Sequence, residues 1–401
     1  MRFPAVILVA ILALLTAGTN ARADDADWQA VLTRAKGQTV YWHAWGGSQQ
    51  TNDFIAWVGS RLKGNFGVSV EQVKLRDTSE AVSRVLAEKT AGRTEGGAVD
   101  LVWINGENFL AMRQNGLLFG PWSEQLPNYR LVDVKGKPTT TVDFTVPVDG
   151  MESPWAMAQI VFIHDTQRLK SPPKSIPDML AWAKANPGRL THPQVTNFLG
   201  ATFFKQALYE LVPDPALLQT PATDETFGPT TTALWAWYDA LKPTLWRQGR
   251  QFPENGPVQQ QLLADGEIEI SLSFNPADAS NAIATGALPA TVRTFVLDRG
   301  TIGNTSFVAI PFNAAHKDGA KVVANFLLSP EAQARAQDPR VLGSFAVLDF
   351  AKLSPAERKL FTDLPRGVAT LANEELGITQ LEPHPSWMTR VVSEWQRRYG
   401  G

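Results

Sequence analysis

Thr39-Val40-Tyr41-Trp42-His43-Ala44-Trp45-Gly46-Gly47-Ser48 opens as a β-prone run and closes in a glycine turn. Phe54, Val58 and Leu62 then recur every four residues, with Ile55 beside them, as on one buried helix face. Ser48 and Thr51 stand where an N-cap hydroxyl is wanted. The unit is strand, tight turn, helix, and it repeats. Val68 to Leu75 reads as a strand, and Thr78 is expected to cap a helix with Val82, Val85, Leu86 and Lys89 in register. Val99-Asp100-Leu101-Val102-Trp103-Ile104 is a third strand; the helix Glu107 to Asn115 ends at Gly116, a usual left-handed stop. Strands alternating with helices predict a mostly parallel sheet covered on both faces.

Farther along, Ala156 to His164 reads as a strand and Pro172-Pro173 as a break. Pro177 starts a helix through Ala185, which Asn186-Pro187-Gly188 stops. Arg189 to His192 is a short strand. Residues 197–211 form a helix with Leu199, Phe203, Ala207 and Leu211 on one face. Helices are expected over 233–241, 258–264 and 317–328, strands over 267–274, 291–297 and 305–310, and nearly continuous helix from Pro330. A chain of 401 residues exceeds what one core usually organises, so two α/β lobes are expected, crossing near Trp155 and Gly303.

The N-terminus bounds the function. Arg2 precedes an apolar run from Ala5 to Ala17, broken only by Thr16, and Ala21-Arg22-Ala23 matches a signal-peptidase site. Residues 1–23 are therefore expected to be a signal peptide cleaved before Asp24. The run is too short to span a bilayer. Cleavage removes Arg2 and Arg22, leaving 35 basic against 39 acidic side chains and a formal charge of −4. No basic cluster suggests a nucleic-acid partner. There is no cysteine, hence neither disulfide nor lipidated N-terminal cysteine, and the expected location is a bacterial periplasm.

Ligands of open α/β sheets bind beyond the carboxyl ends of strands, in loops that start helices. Three polar loops fit: Trp45-Gly46-Gly47-Ser48-Gln49, Asn105-Gly106-Glu107-Asn108 and Thr196-Asn197. Glycines allow close backbone approach, and helix N-termini suit anionic groups. Asn275 and the stretch Thr301 to Asn304 lie at two further strand ends. Trp42, Trp45, Trp103, Trp155 and Phe274 flank these turns, and Trp387 opens a C-terminal helix. Aromatic faces bind sugars, rings or organic cations, and Glu107 would neutralise a cation. Trp42 and Trp103 lie within strands and read as core, while Trp45 and Trp155 lie beside turns and read as ligand surface. Ser48, Asn105 and Asn197 can equally serve only as helix caps. Glu382-Pro383-His384-Pro385 is a rigid connection that can be structural.

Catalytic patterns mostly fail. There is no cysteine nucleophile, no G-x-S-x-G and no H-E-x-x-H. The five histidines stand singly and none pair at metal-ligand spacing, so neither cofactor nor metal is expected. A carboxylate-pair hydrolase remains open on residue content alone.

The colinear order of the Trp-Gly-Gly-Ser loop, Asp100-Leu101-Val102-Trp103, Ser153-Pro154-Trp155, Val161-Phe162-Ile163-His164-Asp165, Leu262-Leu263-Ala264-Asp265-Gly266-Glu267 and 320–333 resembles the bacterial periplasmic solute-binding proteins of ABC importers. It looks closest to the YnjB-like branch, related to thiamine, polyamine and iron binders. The resemblance spans essentially the whole mature chain. It implies a two-lobed type II-like fold with the ligand in the cleft between lobes, and hinge crossings near Trp155–Ala156, Thr301–Thr305 and Leu342–Asp349. The implied lobes are 24–155 with 303–341, and 156–302 with 342–401. Ferric binders of this superfamily use adjacent tyrosines, and none of the five here are adjacent, which disfavours iron.

The expected function is capture of a small organic solute, cationic or zwitterionic or phosphorylated, for delivery to an inner-membrane permease and its ATPase. The protein is expected to be monomeric and not an enzyme. Expected ligand contacts are Trp45, Gly46, Gly47, Ser48, Asn105, Glu107, Trp155, Asn197, Asn275, Asn304 and Trp387. The rival is a secreted hydrolase.

Overall fold

The computed structural model describes residues 27–372 and 375–400; the expected leader and its cleavage site lie outside them. A helix over 27–35 (α1) precedes β1 (Thr39–Trp45), α2 (Gln49–Phe66), β2 (Ser69–Leu75), α3 (Ser79–Thr90), β3 (Leu101–Ile104) and α4 (Gly106–Gln114). An irregular stretch carrying the short pair β4 (Val142–Asp143) and β5 (Val146–Pro147) leads to β6 (Glu152–Gln159) and β7 (Val161–Asp165). Next come α5 (Ile176–Ala185), α6 (Phe198–Leu211), α7 (Asp224–Leu241), α8 (Gly256–Ala264), β8 (Ile270–Ser273), α9 (Asp278–Ala284), β9 (Val292–Phe295) and β10 (Thr301–Ala309). The chain continues through α10 (Lys317–Leu327), α11 (Pro330–Gln337), α12 (Pro355–Thr362), β11 (Thr379–Gln380) and α13 (Pro385–Tyr399).

Two sheets organise two lobes. The first has the order β11-β10-β3-β1-β2, with β6 on the other edge of β10. β1 runs parallel to β2 and β3, as the strand–turn–helix repeat predicts, whereas β10 is antiparallel to β3 and β6. The second sheet, β8-β7-β9, is antiparallel throughout, so the mostly parallel expectation holds for β2-β1-β3 and the short β10-β11 pair alone. The alternation rule fails there because β8 and β9 flank β7 directly without a parallel crossover.

β6 and β10 run side by side out of one lobe into the other, with a register shift at Ser306/Phe307. Trp42, Phe54, Leu62, Trp155 and Val323 pack on one face of the first sheet, and Val85, Val102, Phe109 and Phe307 on the other. Phe162, Phe203, Leu234, Tyr238, Trp387 and Trp395 build the second core, with Ile163, Leu263, Val292 and Ala369 behind it. All nine residues of β10 are buried.

Some local expectations are corrected. Thr78 does not cap α3; its hydroxyl donates to the Trp103 carbonyl at 3.2 Å. Residues 189–192 make only a single bridge, at Leu190 with Ile270. α7 begins nine residues before Ala233, across Gly228 and Pro229, started by a Thr223–Thr226 capping box. Beyond α11 the chain is broken by irregular stretches over 338–354, 363–372 and 375–378. Near 342–349 it touches the second lobe but returns: Leu342, Val347, Leu348 and Phe361 belong to the first core, and the chain enters the second at Ala369, followed by Trp387, Met388, Val391 and Trp395.

Candidate functional site

At the carboxyl end of β3, Asn105 and Gly106 start α4. Gly106 has φ +60°, and a Cβ there would lie 2.6 Å from the Phe144 ring, so only glycine fits. The Gly106 N–H donates to Asp143 Oδ2 at 2.7 Å. That bond fixes the turn between β4 and β5, where Phe144 and Thr145 both adopt positive φ, +43° and +71°. The Phe144 ring thereby reaches across the seam between the lobes.

α6 supplies the opposite wall. Asn197 Oδ1 accepts the Leu199 N–H at 3.0 Å and starts the helix, which carries Phe198 and, two turns on, Lys205. The Lys205 ammonium lies 4.7 Å from the Phe144 ring centroid and 4.8 Å from that of Phe198. It donates to Glu382 Oε2 at 2.7 Å, with both side chains 3% exposed or less. Asn304, on β10, donates to Glu382 Oε1 at 2.9 Å.

The seam is rich in carboxyl groups. Burial raises the Glu382 carboxyl above its ordinary range against the opposing pull of Lys205, and does the same to half-buried Glu107. Asp143 is driven well up by burial, with Glu107 and Glu382 adding repulsion and the Gly106 N–H opposing it. Glu152, at the start of β6, is fully buried; burial and then Asp143 hold it protonated far above the usual range. Neither Glu152 oxygen has a hydrogen-bond partner, and neither does Asp143 Oδ1.

Residues 57–356 match the model of the bacterial extracellular solute-binding protein family. The chain belongs to this family. Protein YnjB of Escherichia coli (strain K12) is 42% identical over 394 residues, 98% of each chain. The periplasmic binding protein AfuA from Actinobacillus pleuropneumoniae, solved with fructose-6-phosphate, has a TM-score of 0.61 at 16% identity, covering 90% of this chain and 99% of its own. A periplasmic thiamin binding protein has a TM-score of 0.60 at 16% identity, covering 90% and 96%. The family match makes this an extracellular solute-binding protein, and the solved structures show its two-lobed fold.

The expected contact residues of this solute-binding protein divide. Asn105, Glu107, Asn197 and Asn304 flank the seam, and the Asn105 side chain makes no cap bond. Trp45, Gly46, Gly47 and Ser48 end β1, which runs parallel to β3, so they share that edge of the sheet. The Trp45 ring lies against Gly47 and is half-buried; Gly46 donates to the Leu75 carbonyl at 3.0 Å, and Ser48 caps α2. Trp155 is corrected to core: it is 2% exposed, stacks on Phe54 at 5.9 Å and meets Trp42 and Trp103 edge-on. Trp387 is likewise core, 1% exposed, with its indole N–H donating to the Thr220 carbonyl at 2.8 Å. Asn275 spends its amide on Leu342 and Ala277, tying two loops together.

Lys205, Asp143, Phe144 and Glu152 escape the sequence reading, which leaves Glu382 open between a structural and a functional role. One signal was present: Lys205-Gln206 interrupts an otherwise apolar helix face. An open groove of about 700 Å³ on the second lobe, lined by Trp246, Arg250, Phe252, Glu254 and Trp395, contains none of the seam groups. Among the described residues no cluster of metal-ligating side chains occurs, and no helix is long and apolar enough to cross a membrane.

Proposed function

We propose that this receptor closes its lobes over a small organic solute bearing a cationic group and releases it to the permease and ATPase of an inner-membrane importer. One observation carries the reading: Glu107, Asp143 and Glu382 face a single ammonium, that of Lys205, with buried Glu152 behind Asp143. Buried carboxyls without partners are costly, and a guest cation offsets that cost. The free Asn105 amide and the N-terminus of α6 suit a polar or anionic portion of the same molecule. Trp45, at the neighbouring strand end, remains a stacking surface in this reading. The lobes we assign are 24–155 with 303–361, and 156–302 with the remainder, moving about β6 and β10 by hinge closure. The protein acts as a monomer, without nucleic acid or catalysis, after removal of residues 1–23.

The test is calorimetric titration with a panel of polyamines, thiamine and fructose-6-phosphate, beside native mass spectrometry of the purified protein. A cation should bind, and Glu107→Gln should weaken it by roughly 10-fold through loss of a charge-assisted contact. Binding of the sugar phosphate alone, with Glu107→Gln neutral, would overturn the reading.

A further inference from the structure

Lys205 is held much as a bound amine would be. Its ammonium has an aromatic ring from each lobe at cation–π distance and one carboxylate at 2.7 Å. The cage is costly to build. Two consecutive non-glycine residues, Phe144 and Thr145, hold positive φ to seat one ring, and Gly106 must lack a side chain beneath it. Asp143, which anchors that turn, is 1% exposed and leaves Oδ1 without a partner. A lysine that served only to neutralise Glu382 would need neither the strained turn nor Phe144, which comes from the other lobe.

We propose that the Lys205 ammonium is an internal stand-in for the solute, occupying an ammonium subsite built from Phe144, Phe198 and Glu382. The solute's own primary-ammonium end takes this subsite when the flexible Lys205 stem withdraws. The inference rests on the receptor reading above and narrows it to solutes with an unhindered alkylammonium group. Glu382 Oε2 accepts an N–H from the ammonium at 2.7 Å, and a quaternary centre has no N–H to donate. Because Phe144 belongs to the first lobe and the other groups to the second, the subsite is complete only when the lobes are closed. Lys205 then favours closure in the absence of solute.

The experiment removes the stand-in and supplies a replacement. Lys205→Ala should gain saturable binding of n-butylammonium, at least about 10-fold tighter than wild type shows, in line with a desolvated cation–π contact. Tetramethylammonium and n-butanol should not substitute for it, and Phe144→Ala in the same background should abolish the gain. Lys205→Met, whose thioether fills the stem's path, should not respond. If Lys205→Ala folds only poorly, butylammonium but not butanol should raise its refolding yield. Equal responses of wild type and Lys205→Ala, or of butanol and butylammonium, overturn the proposal. A failure here with cation binding intact in wild type removes the subsite and leaves the receptor reading standing.

Discussion

His192 and Lys205 are both basic side chains buried among aromatic rings, yet their surroundings obey different rules. His192, in the second-lobe core, stacks on Phe203 and Phe252 at 5.1 and 4.6 Å. Its Nδ1–H donates to the Pro193 carbonyl at 2.7 Å, which leaves Nε2 to accept from the Tyr238 hydroxyl at 2.9 Å. Both ring nitrogens are satisfied in the neutral form, and burial pushes the pKa down to about 4. Lys205 donates to the Glu382 carboxyl, while Asp143 Oδ1 close by lacks a partner. The His192 ring completes its polar contacts, as most buried groups do. The Asp143 carboxyl beside Lys205 does not.

The sharpest way to break this comparison is at its border. Trp155 lies on the crossing strand β6 but packs as core. Trp155→Ala should cost ~3–5 kcal/mol of folding stability, measured by urea unfolding, with solute affinity retained in the folded fraction. Lost affinity at unchanged stability would extend the site into the first-lobe core.

Acid should single out the His192 side next. The unfolded chain binds a proton at this residue near pH 6.5, whereas the folded protein refuses it until about pH 4. Between those values the unfolded state holds more protons, so stability falls as pH falls, by on the order of 3 kcal/mol. His192→Gln should lose less stability than wild type between pH 7 and 4.5. Identical losses would mean that His192 is not held neutral.

The smallest effect has the opposite sign. Folded Glu152 keeps its proton to higher pH than the unfolded chain does, so it destabilises as pH rises above the ordinary carboxyl range. Glu152→Gln should flatten that slope and gain about 1 kcal/mol at pH 8, a modest gain because the buried amide still lacks a partner. A slope unchanged in the variant would place the titrating group elsewhere.

Much of the first lobe was legible in the chain. The residues Phe54, Val58 and Leu62 are close in sequence and share a helix face, so period alone placed α2, and with it the edge of the sheet where Trp45 and Asn105 stand. The crossing near Trp155 and Gly303 was legible too, because both segments read as strands joining regions with separate helical patterns. Harder cases had physical causes. The first half of α7 contains Gly228, Pro229 and four threonines, which local propensity rejects; a capping box and the packing of Thr231 and Leu234 override it. Trp155 and Trp387 sit beside turns in sequence, but a turn does not say which way its neighbour faces, and both indoles found complete aromatic cores.

By itself, the sequence determined the alternation of strands and helices in the first lobe, the two-lobed division and the class of receptor, since each depends on short-range period or on the order of segments. Only the tertiary structure decided the seam. Lys205 and Glu382 are 177 positions apart, and Phe144 reaches them from the other lobe through a turn anchored on Gly106. No periodicity encodes such a meeting. Charge and strain become visible as a site only when packing removes the water that would otherwise have satisfied each group separately.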